Sequence, residues 1–522
     1  MESWFFIIAT ICICVFLKSV LNILVPSRKL DDSKLPPGSL RLPVVGNLWL
    51  LYNRKSFSGI EPILRDIKNK KGPIITFWMR SRPFIFISNH SLAHKALVQN
   101  GAVFSDRPKA PPVGKVFNSN QHNISSASYG ATWRILRRNL TSEILHPSRM
   151  KSFSNARKWV LEILIGQLKS QSDKNVKVMD HFQYAMFCLL ALMCFGDKLD
   201  ENQIKKIKAL QRKILLKFGG GLSVLNLFPV LLSKIVFRKE WKELMQCRKD
   251  QDNIFGPLIN ARIEAKGQGL ISENVAYVDS LVDLELPDEK RKLKMDEIVS
   301  ICAEFLNAGT DTTATALQWI MANLVKFPEI QEKVYQEISQ TVEENALEDG
   351  FVKEEALQKL PYLKAVVLEA LRRHPPGHFV LPHSVSEEVE FEGYVIPKNS
   401  TVNVMVAELG WDPNVWENPM EFKPERFLNS SNNLDHDGID GFDITGSREI
   451  KMMPFGAGRR ICPGFGLALL HLEYFVANLV WCFKWESVDG VDLTEKREFT
   501  VVMMNPLQAR IFPREVGVGK NN

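Results

Sequence analysis

The sequence has no C-x-x-C pair, and its eight cysteines are scattered over 522 residues with none of the density of a disulfide framework. Cys12 and Cys14 lie in an apolar N-terminal run, and Cys188, Cys194, Cys247, Cys302, Cys462 and Cys482 are spread through the remainder. That usage excludes a small stapled scaffold and fits a reducing compartment. No strong excess of either charge exists: 66 basic and 59 acidic residues leave a net +7. The balance argues against a nucleic-acid-binding protein and suits a local basic patch facing an anionic partner or a membrane surface. The tail, Gly519-Lys520-Asn521-Asn522, carries no retention signal.

The hydrophobic fraction of 45% is that of an ordinary globular protein. The length exceeds a typical single domain but allows one large fold around a cofactor. Trp4 to Val25 is largely apolar, interrupted by Thr10, Lys18, Ser19 and Asn22. As a helix, about 22 residues span roughly 33 Å, enough for a bilayer core. No positive region precedes the run and no small-residue cleavage site follows it, so a signal anchor is favoured over a cleaved signal peptide. Glu2 precedes the run, whereas Lys18, Arg28 and Lys29 lie within or after it, which places the rest of the chain in the cytosol. In that topology the sequons at Asn123 and Asn139 go unused. Leu35-Pro36-Pro37-Gly38 and Pro43-Val44-Val45-Gly46-Asn47 form a stiff, non-helical connector. The expected organisation is an anchor at 1–25, a proline-rich hinge at 26–48 and one catalytic domain at 49–522.

Phe455-Gly456-Ala457-Gly458-Arg459-Arg460-Ile461-Cys462-Pro463-Gly464 is the chain's most informative stretch. Gly456, Gly458 and Gly464 let the backbone bend and approach something flat. Pro463 suits a first helical position, and the apolar run from Phe465 to Trp481 continues as a helix. Cys462 then lies near a helix N-terminus, which favours a thiolate. One thiolate without a second Cys or His nearby is a poor zinc site but a good axial ligand for haem iron. Arg460 can present a forked guanidinium to a propionate. An isolated cysteine in a Gly-rich loop is more often structural. Here Phe455, Gly458, Arg460, Cys462 and Gly464 match F-x-x-G-x-R-x-C-x-G, a chance match rarer than roughly one per million positions.

This stretch resembles the haem loop of the cytochrome P-450 superfamily, and further motifs occur in the expected order. Asp296 to Phe327 reads as a long buried helix ended by Pro328. Its middle, Ala308-Gly309-Thr310-Asp311-Thr312-Thr313, matches the family's A-G-x-D/E-T-T pattern. Glycine there lowers helix propensity by roughly 1 kcal/mol, and the expectation is that Gly309 leaves room for a ligand while threonine hydroxyls bend the helix. Ala308 and Thr312 are four apart and share a face. Reduction of dioxygen needs two protons before the O–O bond breaks; the resemblance gives Thr312 and Asp311 the handling of oxygen and protons.

Trp133 and Arg137 share a face of a helix expected over 133–140, and the resemblance makes them propionate contacts. It also makes Arg134 and Arg138 part of a basic face receiving an acidic reductase. Glu369 and Arg372, alone an ordinary surface pair, become in the family a buried lock completed by Arg426, holding the side that presents Cys462. Pro375 and Pro376 exclude helix, so Gly377–Leu381 runs extended; by resemblance it faces substrate and His383 bonds a propionate. Phe455, Gly456, Gly464 and Ala308 complete the expected cofactor-binding set.

Elsewhere, Thr76–Met79 and Pro83–Ser88 read as paired strands, and Tyr394–Pro397 and Thr401–Val404 as a hairpin. Phe104 opens a turn-rich stretch to Gly130 that roofs the pocket in the family. Residues 150–295 read as mostly helical with a break at Gly219-Gly220-Gly221, and 283–294, a charged run, as a solvated face or loop. Leu227-Phe228-Pro229 fits membrane contact, pocket lining or packing equally. Val501–Pro506 resembles a C-terminal turn projecting into a pocket for a greasy substrate.

The implied fold is mainly α with a small β region, one large haem domain behind an N-terminal anchor. The implied function is a plant microsomal haem-thiolate monooxygenase in specialised metabolism, using haem b (iron protoporphyrin IX) to insert one oxygen atom from O2 into a lipophilic small molecule. The implied partners are NADPH-cytochrome P-450 reductase and cytochrome b5, and the place is the endoplasmic reticulum membrane, single-pass, with the catalytic domain cytosolic. A thiolate-haem isomerase or dehydratase is disfavoured because Asp311-Thr312 and an uninterrupted cysteine loop are both present. A non-catalytic haem sensor is disfavoured because no output domain is visible.

Overall fold

The computed structural model describes residues 60–79, 82–171, 175–219, 230–270, 276–341, 347–428 and 442–514, with scattered positions before residue 60 and between 220 and 229. Of the expected anchor only Thr10, Ile13, Cys14, Phe16 and Leu17 are described; they are helical and exposed. The rest of the anchor, most of the hinge and Leu227-Phe228-Pro229 lie outside the described residues. The chain divides into two compact units, Met1–Pro108 with Phe379–Met405, and Lys109–His378 with Val406–Asn522.

The first unit is built on a four-stranded sheet. β1 (Ile74–Met79) and β2 (Arg82–Ile87) pair antiparallel, with Thr76 opposite Ile85, as their β-branched and aromatic content predicts. The helix α1 (Ile60–Lys71) buries Ile63, Leu64 and Ile67 in one cluster with Ile75, Phe77, Phe86 and Met405. The proline-rich segment docks on β1: Thr76 N donates to Pro37 O and Thr76 Oγ1 to Pro36 O. A Cβ on Gly38 would lie 2.2 Å from Thr76 O, so only glycine permits that approach.

The expected hairpin between 394–397 and 401–404 does not form. β3 (His383–Ser384) and β6 (Thr401–Val404) pair with each other, and β6 also runs parallel to β2. Tyr394–Ile396 (β5) instead pairs with Val389–Phe391 (β4) through Glu392 and Gly393, at φ 55° and 77°. Two positive φ values in a two-residue loop match the right-handed strand twist, whereas Lys398-Asn399-Ser400 gives no such turn.

The second unit is helical. Its long helices include α2 (Ala131–Glu143), α3 (Val178–Phe195), α4 (Glu201–Gly219), α5 (Arg238–Gly267), α6 (Met295–Lys326), α7 (Pro361–Arg373) and α8 (Phe465–Cys482). Among the described residues, α3 and α8 are long and apolar enough to cross a membrane, but both are mostly buried in the core. α6 begins where Glu297 accepts from Lys294 N, with Asp296 and Glu297 in the first turn complementing the dipole. It ends before Pro328, within one residue of expectation at each end. Arg262 and Asp279 form a buried bidentate pair between α5 and the short helix Tyr277–Val282.

Three local expectations change. α8 starts at Phe465 with Gly464 before it, so Pro463 is not the first helical residue; the first helical bond runs from Ala468 N to Gly464 O. Residues 283–294 are not a plain loop but carry a small hairpin, Glu285–Leu286 against Arg291–Lys292. The turn-rich stretch expected from Phe104 to Gly130 holds the short helix Pro112–Phe117. Asn123 is buried, with Oδ1 accepting from Ser126 N.

Candidate functional site

Cys462 is presented by a doubled-back loop. Its N–H donates to Phe455 O at 2.8 Å, and Gly456 and Gly458 take φ 73° and 68°, a left-handed path that side chains resist. The Phe455 ring packs near Phe465, 6.3 Å between centroids, fixing the loop against the start of α8. Burial pushes the Cys462 thiol up, and the Gly464 N–H and the Arg137 guanidinium pull the other way. The net direction is up in the protein alone, and a thiolate needs that proton removed. A metal ion would supply that deprotonation.

Beside the cysteine stand two donors, Trp133 and Arg137, without acceptors among the described residues, and a third, Arg460, that has them. Trp133, on α2, is buried, and its Nε1–H has no partner among the described residues. Arg137, one turn on, sits 6.0 Å from the Trp133 ring and has no carboxylate within ion-pair distance among the described residues. Burial lowers its pKa while Cys462 opposes that effect. Arg460 also lies over Trp133, 4.5 Å from its ring, and donates to Ile124 O and Ala127 O. Buried N–H groups are nearly always paired in folded proteins, so this indole and guanidinium call for an anion. A haem, with iron for the sulfur and propionates for the donors, fits this donor set.

On α6, Ala308 is exposed in the middle of a mostly buried helix, and Thr312 on the same face is partly exposed. Thr312 Oγ1 donates to Ala308 O at 2.6 Å and Thr310 Oγ1 to Leu306 O, yet the helix runs unbroken through both. Gly309 does not face a ligand: a Cβ there would lie 2.4 Å from Leu190 Cδ1, so the glycine lets α3 approach α6. Asp311 is buried and fully engaged. It pairs with Arg212 of α4 and accepts from Thr500 Oγ1 at 3.0 Å; Arg212 also reaches Glu498 at 3.4 Å. Sequence reasoning missed Arg212, Glu498 and Thr500, because nothing in their local patterns marks them.

Thr500 lies in the turn joining β7 (Glu495–Arg497) to β8 (Val501–Met503). Trp319 Nε1 on α6 donates to Val501 O, and Val501 N donates to Pro376 O, so this hairpin is tied to the oxygen-side helix and to the Pro375-Pro376 segment. Val501, Val502 and Met503 are buried, whereas Met504 is exposed.

Glu369, Arg372 and Arg426 are brought together. Arg372 donates through Nε and Nη2 to the two Glu369 oxygens at 2.7 and 2.8 Å, and Arg426 Nε reaches Oε1 at 3.1 Å. Arg372 Nη1 also donates to Gly410 O and Pro419 O, and Lys423 N to Glu369. Every charge at this buried point therefore has a partner. His383, in the other unit, is buried with Nδ1 bonded to Phe104 O at 2.7 Å.

A family model described as Cytochrome P450 matches residues 36–512. The chain is 49% identical over 523 residues to cytochrome P450 89A9 of Arabidopsis thaliana, with 98% of each chain covered. It is 31% identical to an isoflavone 2'-hydroxylase of Glycyrrhiza echinata, with 95% of each covered, and 30% identical to salviol synthase of Salvia pomifera, with 92% of each covered. A solved structure of a zebra fish cytochrome P450 with abiraterone matches at TM-score 0.69 and 21% identity, over 87% of this chain and 100% of that one.

Proposed function

The chain belongs to the cytochrome P450 family, and from that premise we propose that Cys462 is the iron ligand of a plant microsomal haem-thiolate monooxygenase acting on a lipophilic small molecule. Members of this family are oxidoreductases that bind haem iron, use O2 and draw electrons from redox partners. The observation that carries the assignment is the half-buried Cys462 beside Arg137 and the unpartnered Trp133 Nε1–H. Haem b, when bound, supplies the reduction of O2 and the transfer of one oxygen atom to substrate.

The chain's own residues supply the rest. Trp133, Arg137 and Arg460 receive the propionates, and Phe455, Gly456 and Gly464 shape the cysteine loop. Ala308 keeps the oxygen side open. Thr312, its proton directed to Ala308 O, offers its lone pairs to a donor such as water. Asp311 holds the buried carboxylate through which protons pass from the Arg212 and Glu498 side. Glu369, Arg372 and Arg426 keep the cysteine side rigid. The names of the relatives, an isoflavone 2'-hydroxylase and salviol synthase among them, support a role in specialised metabolism.

Electrons come from NADPH through cytochrome P-450 reductase, with cytochrome b5 as a second donor. Exposed Arg134 and Arg138 on α2 provide the basic docking face. Exposed, helical Ile13, Phe16 and Leu17 support a single-pass anchor in the endoplasmic reticulum membrane with the catalytic domain cytosolic. Expression with a reductase in microsomes tests the reading. NADPH consumption with a mono-oxygenated product is expected, and conversion of a hydroperoxide without NADPH would contradict it. Cys462→Ser is expected to abolish the thiolate-type absorbance of the reduced, carbon-monoxide-bound form; an unchanged spectrum rules the ligand out.

A further inference from the structure

Between the oxygen-side helix and the cysteine loop lies a four-residue strap, Ile124–Ala127. Its start is held by an acid on α6: Ile124 N donates to Glu304 Oε2 at 2.8 Å and Ser125 N to Glu304 Oε1 at 2.7 Å. Its carbonyls are held by a base in the cysteine loop: Arg460 Nη1 donates to Ile124 O at 3.3 Å and Nη2 to Ala127 O at 2.7 Å. Hydrogen bonds to ionised groups are about twice as strong as neutral ones, and both clamps are forked. Gln121 Nε2 and Asn123 Oδ1 bond Ser126 from within the same stretch, so the strap is also internally braced. Glu304 is one turn before Ala308 on α6, and Arg460 is two residues before Cys462.

We propose that Glu304 is a positioning residue for the thiolate: acting through Ile124–Ala127 and Arg460, it holds the Cys462 loop in register with the helix that carries Ala308 and Thr312. The proposal rests on Cys462 as the iron ligand. A strap with buried ends, Ile124 and Ala127, gripped at its N–H groups from one side and its carbonyls from the other, transmits displacement of α6 to the cysteine loop directly. Glu304 itself touches neither sulfur nor cofactor.

The test uses the haem-loaded protein and two readings on each variant. Hydrogen exchange at the Ile124 and Ser125 amides reports the strap, and the reduced, carbon-monoxide-bound spectrum with its persistence on warming reports the thiolate. Glu304→Ala is expected to speed exchange roughly 10-fold or more, the loss of a charge-assisted bond, and to convert the thiolate form to the thiol form faster. Glu304→Gln keeps the shape and one acceptor and falls between. Arg460→Lys loosens the strap from its carbonyl side, away from Glu304, and is expected to speed exchange at the same two amides. The double variant is expected to be no worse than the worse single one, because both act through one strap. Ser119→Ala removes an outer tether to Asp296 O and Ser300 and is expected to change neither reading. Rates that multiply in the double variant, an unaltered thiolate band in Glu304→Ala, or equal effects from Ser119→Ala would overturn the proposal. The exchange reading needs no iron ligand, so a failure of the Cys462 assignment shows separately, as an unchanged Cys462→Ser spectrum.

Discussion

A methyl group at Gly309 would sit 2.4 Å from Leu190 Cδ1, closer than any packed side chain tolerates. The residue reads in sequence as a gap left for a ligand, because it lies inside the oxygen-side motif. Its neighbour in space is a leucine of another helix, which no spacing rule reveals. Gly309→Ala is therefore expected to cost about 1–3 kcal/mol by overpacking, measured by urea unfolding, and Leu190→Ala is expected to recover part of that loss. Asp311 teaches the same lesson: its motif is legible, but Arg212 and Thr500 come from segments about 100 and 190 residues away in sequence. Asp311→Asn keeps the bond from Thr500 and loses the charge facing Arg212. Turnover is expected to fall by about 10²-fold or more, with haem content unchanged; a variant with wild-type turnover would remove Asp311 from proton handling.

Elements with one strong local signal were legible. α6 has acidic residues at its start, a proline at its stop and apolar residues between, so both ends fall within a residue of expectation. The strands β1 and β2 carry their pairing in their composition. The misplaced hairpin shows the limit: β-rich content at 394–396 and 401–404 says strand twice, but the Glu392-Gly393 turn, not proximity, chooses partners. At α7 the E-x-x-R pair is legible, whereas its burial depends on carbonyls from Gly410 and Pro419 that close over Arg372. Glu369→Gln leaves Arg372 and Arg426 short of a buried countercharge. A loss of about 3–5 kcal/mol is expected, seen as failure to accumulate haem-loaded protein at 37 °C, while Glu417→Gln, which offers Arg426 only its backbone carbonyl, is expected to behave as wild type.

For the whole molecule, two buried histidines, His471 and His374, have pKa values pushed well below the ordinary one. Burial pushes His471 down to about 3, with Arg157 adding to the effect. Burial likewise pushes His374 down to about 4, against its bond to Glu495. The unfolded chain binds these protons near pH 6.5 and the folded chain only near 3 to 4. Between those limits the unfolded state holds more protons, so stability falls as pH falls, by about 1.4 kcal/mol per unit per proton. Glu495 adds a lower window: burial raises its pKa, but His374 and His378 outweigh this and hold it at about 2. Its contribution is present above about pH 4.5 and is lost toward pH 2. His471→Phe is expected to flatten the fall in urea midpoint between pH 6.5 and 4, and an unchanged slope would show that this ring does not titrate on unfolding. The central claim about the molecule is a bond between Cys462 sulfur and haem iron, and X-ray absorption at the iron edge of the purified protein tests it most directly. One sulfur scatterer in the iron's first shell, lost in Cys462→Ser, is the expected result; a shell of nitrogen and oxygen alone in the unaltered protein would contradict it.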